Sequence, residues 1–181
     1  PLPREGIEFC GRGSVDLDVE VGYKIWSPEV GAGVAWSPWK PLRISVSYSL
    51  AYVDLFPDER VAALQAAGAL NSSDGYFLSR LKQEIVIDFR DKPLSASQGV
   101  LGRFVAQEAG GPIGGTYRYV KLTGDLRGYL PLGTKKLVLA GRAWASWIHT
   151  WGDQSGVPVS EAVYVGGDGS VRGGKPKYLG P

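Results

Sequence analysis

The sequence is poor in the residues that build catalytic and metal centres. It holds one cysteine, Cys10, one histidine, His149, and no methionine. A single cysteine excludes an internal disulfide framework, and a single histidine excludes a histidine-rich metal site. No G-x-S-x-G nucleophile elbow occurs. Asp16, Asp18 and Glu20 could be imagined as acid–base carboxylates, but they alternate along one strand-like stretch near Lys24, and a solvated wall accounts for them without chemistry. His149 lies among Trp147, Thr150 and Trp151 and reads as an interfacial residue. The chain is therefore expected to be non-enzymatic, with no cofactor and no metal. Charge of one sign is lacking too: basic and acidic residues are interspersed, the formal net charge is +2, and no nucleic-acid footprint appears. No apolar run approaches the ~18 residues that a transmembrane helix needs. No signal peptide is visible, and the chain opens at Pro1.

What is abundant points elsewhere. Glycine is high at 26 residues, and six of the aromatics are tryptophan, a mixture that suits many strands and turns with aromatic girdles. From residue 15 to 24, Val15, Leu17, Val19, Val21 and Tyr23 alternate with polar residues, a strict period of two. Trp26 to Glu29 reads as a turn, 30–36 as a second strand, and 37–41 as another turn with two prolines. The third strand, 42–54, sets Leu42, Ile44, Val46, Tyr48, Leu50 and Tyr52 against Arg43, Ser45, Ser47, Ser49 and Ala51. Residues 58–70 are rich in alanine and read as a short helix decorating a long loop, with Asp58 near its start. Alternation resumes over 76–90, 98–108, 117–130 and 135–150, giving seven strands, and a glycine-rich loop spans 151–181.

Alternation alone cannot separate a soluble sandwich from a membrane barrel, because both show one apolar and one polar face. The connections can. From the third strand onward they run long, short, medium, short, long, the parity expected of an up-and-down barrel with short turns on one side of a membrane and long loops on the other. Strands of roughly 10–14 residues also exceed the soluble mode and match a tilted crossing. Tyr52, Trp144, Trp147 and Trp151 fall near strand ends, where amphipathic rings suit the water–lipid boundary. The reading is an all-β, transmembrane, antiparallel up-and-down β-barrel. Within it Asp125, Arg127 and Arg142 should face the lumen, where they either pair with one another or an inserted loop, or simply hydrate the wall.

Gly169 to Lys175 satisfies the G-x-x-x-x-G-K spacing of a phosphate loop. Pro176 follows where Ser or Thr is required, and no helix pattern comes after, so nucleotide binding is excluded.

Several phrases resemble one family. Phe89-Arg-Asp-Lys-Pro-Leu94, Tyr119-Val-Lys-Leu122, Asp125-Leu-Arg-Gly-Tyr129, Leu139-Ala-Gly-Arg142 and above all Val165-Gly-Gly-Asp-Gly-Ser-Val-Arg-Gly173 are similar to the barrel of the outer-membrane protein assembly and transport superfamily (BamA/TamA-like, bacterial surface antigen domain). The resemblance implies a barrel of about 16 strands, of which this chain is an internal piece, roughly strands five to eleven. Seven strands fall below the smallest membrane barrels, of about eight, which points the same way. It also implies that 151–181 is the sixth extracellular loop, folded inward, with a V-R-G-aromatic signature at Val171, Arg172 and Gly173 after Gly166, Gly167 and Asp168. Arg172 would latch to an acidic residue on a later strand; Gly174 stands where the family has an aromatic.

The implied function is assembly, insertion or translocation in an outer membrane, Gram-negative or organellar, by strand templating and membrane thinning. Its partners would be unfolded outer-membrane or secreted β-protein clients, the lipid bilayer, periplasmic POTRA domains and accessory subunits, with no nucleic acid. The alternatives are a two-partner-secretion-type polypeptide transporter and the membrane-anchor barrel of a fused patatin-like phospholipase.

Overall fold

A computed structural model describes residues 6–20, 23–57, 75–152, 158 and 161. They form seven strands: β1 (Gly6–Glu20), β2 (Tyr23–Trp39), β3 (Leu42–Pro57), β4 (Tyr76–Asp88), β5 (Gly99–Ala109), β6 (Tyr119–Leu132) and β7 (Thr134–Thr150). All pair antiparallel in one sheet, in chain order. This is an up-and-down meander. Among the described residues β1 pairs only with β2 and β7 only with β6, so the sheet is open. A short 3-10 turn, Gly111–Ile113, interrupts the β5–β6 connection. The helix expected over 58–70 lies outside the described residues.

β1, β2 and β3 are longer than their alternation suggests, whereas β4 ends two residues early, at Asp88. β1 begins at Gly6, ahead of the expected Val15, because Gly11 and Gly13 occupy positions where an apolar side chain would have carried the pattern on. The expected turn at Trp26 to Glu29 is a correction: these residues lie within β2. The β1 ladder runs through Val15↔Pro28, whereas the β3 ladder has no pair at Ser27 or Pro28. Pro28 has no N–H to offer on that side, so the ladder skips a step and the strand continues.

Register gives the sheet two chemically distinct faces. Phe9, Val34, Ile44, Leu50, Ile85, Phe104, Leu126 and Leu139 share one face, all of them well exposed or half-exposed, with Phe9 at 81%. Arg43, Arg80, Glu84, Arg103, Asp125 and Arg142 share the other. A continuous apolar surface on the outside of strands 11 to 17 residues long is what a bilayer covers and water does not. Across β2, β3 and β4 on the apolar side, Trp26 meets Tyr52 edge to face and Tyr52 tilts against Phe77, with centroids 6.4 and 5.1 Å apart. They form an aromatic rim near the end that carries the long loops. His149 stacks on Trp147 at 5.5 Å on that same face of β7. Trp144 is a further correction: it sits mid-strand on the polar face, opposite Asp125. Its parity is that of Arg142, which overrides its resemblance to an interfacial ring.

The polar face is not polar throughout. At the long-loop end Ile25, Ala51, Val53, Tyr76, Leu78, Ala109, Tyr117 and Tyr119 form a buried cluster, with Ile148 packed against it. Tyr76 and Tyr117 meet edge to face at 4.9 Å. Pro158 and Glu161, which follow β7, are buried as well.

Candidate functional site

The polar face carries its charges in shared clusters. Asp125 on β6 accepts Arg127 from its own strand (Nη2–Oδ2 2.8 Å) and Arg142 from β7 (Nε–Oδ1 2.9 Å, Nη2–Oδ2 3.0 Å). Arg127 and Arg142 are directly opposite in register, an arrangement that repels unless a carboxylate lies between them. Asp125, two residues from Arg127 on the same face, supplies it, and its side chain is only 10% exposed. The structure thus brings these three residues together. Glu84 on β4 has the same role in a neighbouring cluster. It accepts Nε and Nη2 of Arg103 on β5, each at 3.0 Å, and lies 3.2 Å from the Lys82 ammonium. Arg43 pairs with Glu8 at 3.0 Å. Bidentate forks of this kind fix geometry as well as charge.

A further cluster was not foreseen from the sequence. Arg80 on β4 lies between two carboxylates: Glu29 of β2, which it contacts through Nη2, and Glu161, which it reaches through Nη1 at 2.9 Å. Gln107 on β5 donates from Nε2 both to the Tyr119 hydroxyl (2.9 Å) and to Glu161 Oε2 (3.1 Å). Lys121 on β6 donates to the Glu161 carbonyl at 3.0 Å and stands 3.7 Å from its carboxylate. The Glu161 N–H closes a turn on the Pro158 carbonyl at 2.9 Å. A residue from beyond the last strand is therefore held by three strands of the polar wall. Val171, Arg172, Gly173, Gly166, Gly167 and Asp168 lie outside the described residues.

At the short-turn end, residues 89–98 are ordered by their own acids. Asp91 accepts the Ser97 hydroxyl (2.5 Å), the Ser97 N–H (2.9 Å) and the Gln98 N–H (3.3 Å). These bonds hold its carboxyl well below the usual carboxylate range. Arg90 forks onto Asp88 (2.9 and 2.8 Å) and donates to the Pro93 carbonyl at 2.9 Å. The Asp88 carboxylate raises the guanidinium above its ordinary value. The Asp88 N–H donates to the Pro41 carbonyl at 2.7 Å, which ties the β4–β5 turn to the β2–β3 turn. Among the described residues no group of three or more His, Cys, Asp or Glu could hold a metal ion, and no helix is long and apolar enough to cross a membrane.

A two-faced antiparallel meander with a wall of shared ion pairs narrows the family but does not name it. The family model for the Omp85 superfamily domain matches residues 9–181. The chain belongs to the Omp85 superfamily. Members of this superfamily are outer-membrane proteins of the insertion and secretion type and are generally non-enzymatic. The match runs from within β1 through the other six strands of this Omp85 domain and on through 151–181, the stretch that contains Glu161. No individual curated protein matches the chain.

Neither Glu161 nor Glu29 carries a sequence signal for its role. What assembles the cluster is register, which lines up Arg80, Ala109 and Tyr119 in one row and Lys82, Gln107 and Lys121 in the next.

Proposed function

We propose that this Omp85 domain is one wall of a larger barrel, of about 16 strands, that inserts or translocates β-proteins at an outer membrane. It would do so without covalent chemistry, by offering strand hydrogen bonds to a client at a weak seam and by thinning the adjoining bilayer. The apolar face would meet lipid and the charged face would line the lumen. Residues 151–181 would fold inward, with Val171, Arg172 and Gly173 as a latch beside Gly166, Gly167 and Asp168. Clients would be unfolded outer-membrane or secreted β-proteins, delivered past POTRA domains and accessory subunits. The BamA/TamA-like branch is favoured by the wording of the Gly166 to Arg172 stretch.

One observation carries the reading: the sheet is apolar on one face and ion-paired on the other, and the chain after β7 returns to the ion-paired face at Glu161. A soluble sandwich would bury the apolar face instead. The test is client folding in vesicles that contain the full-length protein. An unfolded β-barrel client should become protease-resistant faster with the protein than with empty vesicles, and Arg172→Ala should slow it. Equal rates in protein-containing and empty vesicles would sink the assembly reading, and an unaffected Arg172→Ala would sink the latch.

A further inference from the structure

We infer that Glu161 is the positioning residue that anchors the segment following β7 to the barrel wall, and that Arg80, Gln107 and Lys121 are its socket. The inference rests on the polar face being the lumen wall and assigns the anchoring to a residue outside the Val171-Arg172-Gly173 signature.

The socket is built rather than incidental. Register sets Ala109 between Arg80 and Tyr119 in one row and Gln107 between Lys82 and Lys121 in the next. From these rows the donors converge from three strands. Arg80 meets one Glu161 oxygen, Gln107 meets the other, and Lys121 takes the backbone carbonyl. Gln107 is itself oriented, since its second N–H is committed to the Tyr119 hydroxyl. The Glu161 side chain is only 10% exposed, so these partners take the place of water around its carboxyl oxygens.

Glu29 makes the anchor releasable. The Arg80 side chain is 21% exposed, and a guanidinium left there without a carboxylate would be costly. It keeps Glu29 on its other side, so withdrawal of Glu161 leaves a paired arginine behind, not a bare one. This predicts an order among substitutions. Glu161→Gln should free the segment and leave the wall intact. Glu29→Gln should leave the segment in place, because Arg80 still has Glu161. Arg80→Gln should harm both, since it leaves Glu29 and Glu161 without their shared cation.

The test reads the anchor directly. In full-length protein with Cys10→Ser, a Pro158→Cys substitution places a thiol at a buried position of the held segment. Labelling by a water-soluble maleimide in vesicles should be slow. Glu161→Gln should accelerate it at least about tenfold, the loss of one charge-assisted hydrogen bond. Gln107→Leu removes a donor without stranding a charge and should accelerate labelling in the same direction; Glu29→Gln should not. Heat-modifiable migration reports that the barrel is intact. Equal labelling rates for the Glu161→Gln variant, the Gln107→Leu variant and the parent that carries only Cys10→Ser and Pro158→Cys overturn the inference, as does fast labelling of that parent. The readout does not depend on client folding. Unchanged labelling with normal client folding removes the anchor alone, and lost client folding with the expected labelling pattern removes the assembly reading alone.

Discussion

Asp125 is where the ion-paired wall can be tested quantitatively. Asp125→Asn keeps the size of the side chain but leaves Arg127 and Arg142 facing each other across β6 and β7 with no anion between them. Two unit charges at about 4 Å interact by about 4 kcal/mol at an effective dielectric of ~20. Both guanidinium side chains are more than a third exposed, at 38% and 37%, so solvent screening reduces each contact to roughly 1 kcal/mol. Asp125→Asn should therefore cost about 2 kcal/mol, the two lost attractions. Arg142→Gln leaves the Arg127 fork intact and should cost about 1 kcal/mol. The double variant should cost less than the sum of the two, because the Asp125–Arg142 pair is lost in both single variants and is counted only once in the double. The assay is urea unfolding of the full-length protein in phospholipid vesicles, followed by tryptophan fluorescence. Trp144 sits opposite Asp125 in register and reports locally. High salt should shrink the difference. A cost for Asp125→Asn below about 0.5 kcal/mol, or full additivity in the cycle, would refute the claim that one carboxylate holds two strands together.

Three other outcomes are expected. Phe104→Arg places a charge on the apolar face and should cost about 2–4 kcal/mol, while Ser45→Arg, opposite Glu84 on the ion-paired face, should cost under about 1 kcal/mol; similar costs measured by vesicle unfolding would contradict the assignment of the faces. Gly110 has φ +74°, and an added methyl would fall 2.1 Å from the Tyr117 carbonyl. Gly110→Ala should thus cost at least about 1–3 kcal/mol, and a neutral result in the same assay would mean that the β5–β6 connection is not held as described. The Asp91 carboxyl is depressed in the fold, so its contribution is complete above the unfolded aspartate pKa of about 3.9 and is lost as pH falls through the lower folded value. Protease cleavage in 89–98 should rise only in acid below that range, and Asp91→Asn should give cleavage that is high and independent of pH; an acid transition that survives Asp91→Asn would assign it to another group.

Much of this architecture is legible in single residues. The run of alternate apolar residues from Leu42 to Tyr52 reports a strand and both its faces, because side chains on a strand can point only two ways. The polar partners Arg43 to Ser49 identify the second face by the same rule. Reading failed where one residue type has two uses. Pro28 suggested a turn, yet a strand can absorb a proline where one ladder skips a step. Trp144 suggested a membrane boundary, yet parity sends it inward. The Glu161 cluster left no trace at all. Its members come from β2, β4, β5, β6 and the segment beyond β7, and no local pattern relates Glu29 to Arg80 or either to Glu161.

By itself, then, the sequence determined that the chain alternates, that its faces differ chemically, and that Asp125 and Arg127 share one of them. Those properties follow from a backbone period of two, which each strand obeys alone. Only the tertiary structure decided which residues are opposite one another, because register is a property of pairs of strands and a slip of one residue exchanges the faces. That register brought Arg80, Gln107 and Lys121 of three strands together around Glu161.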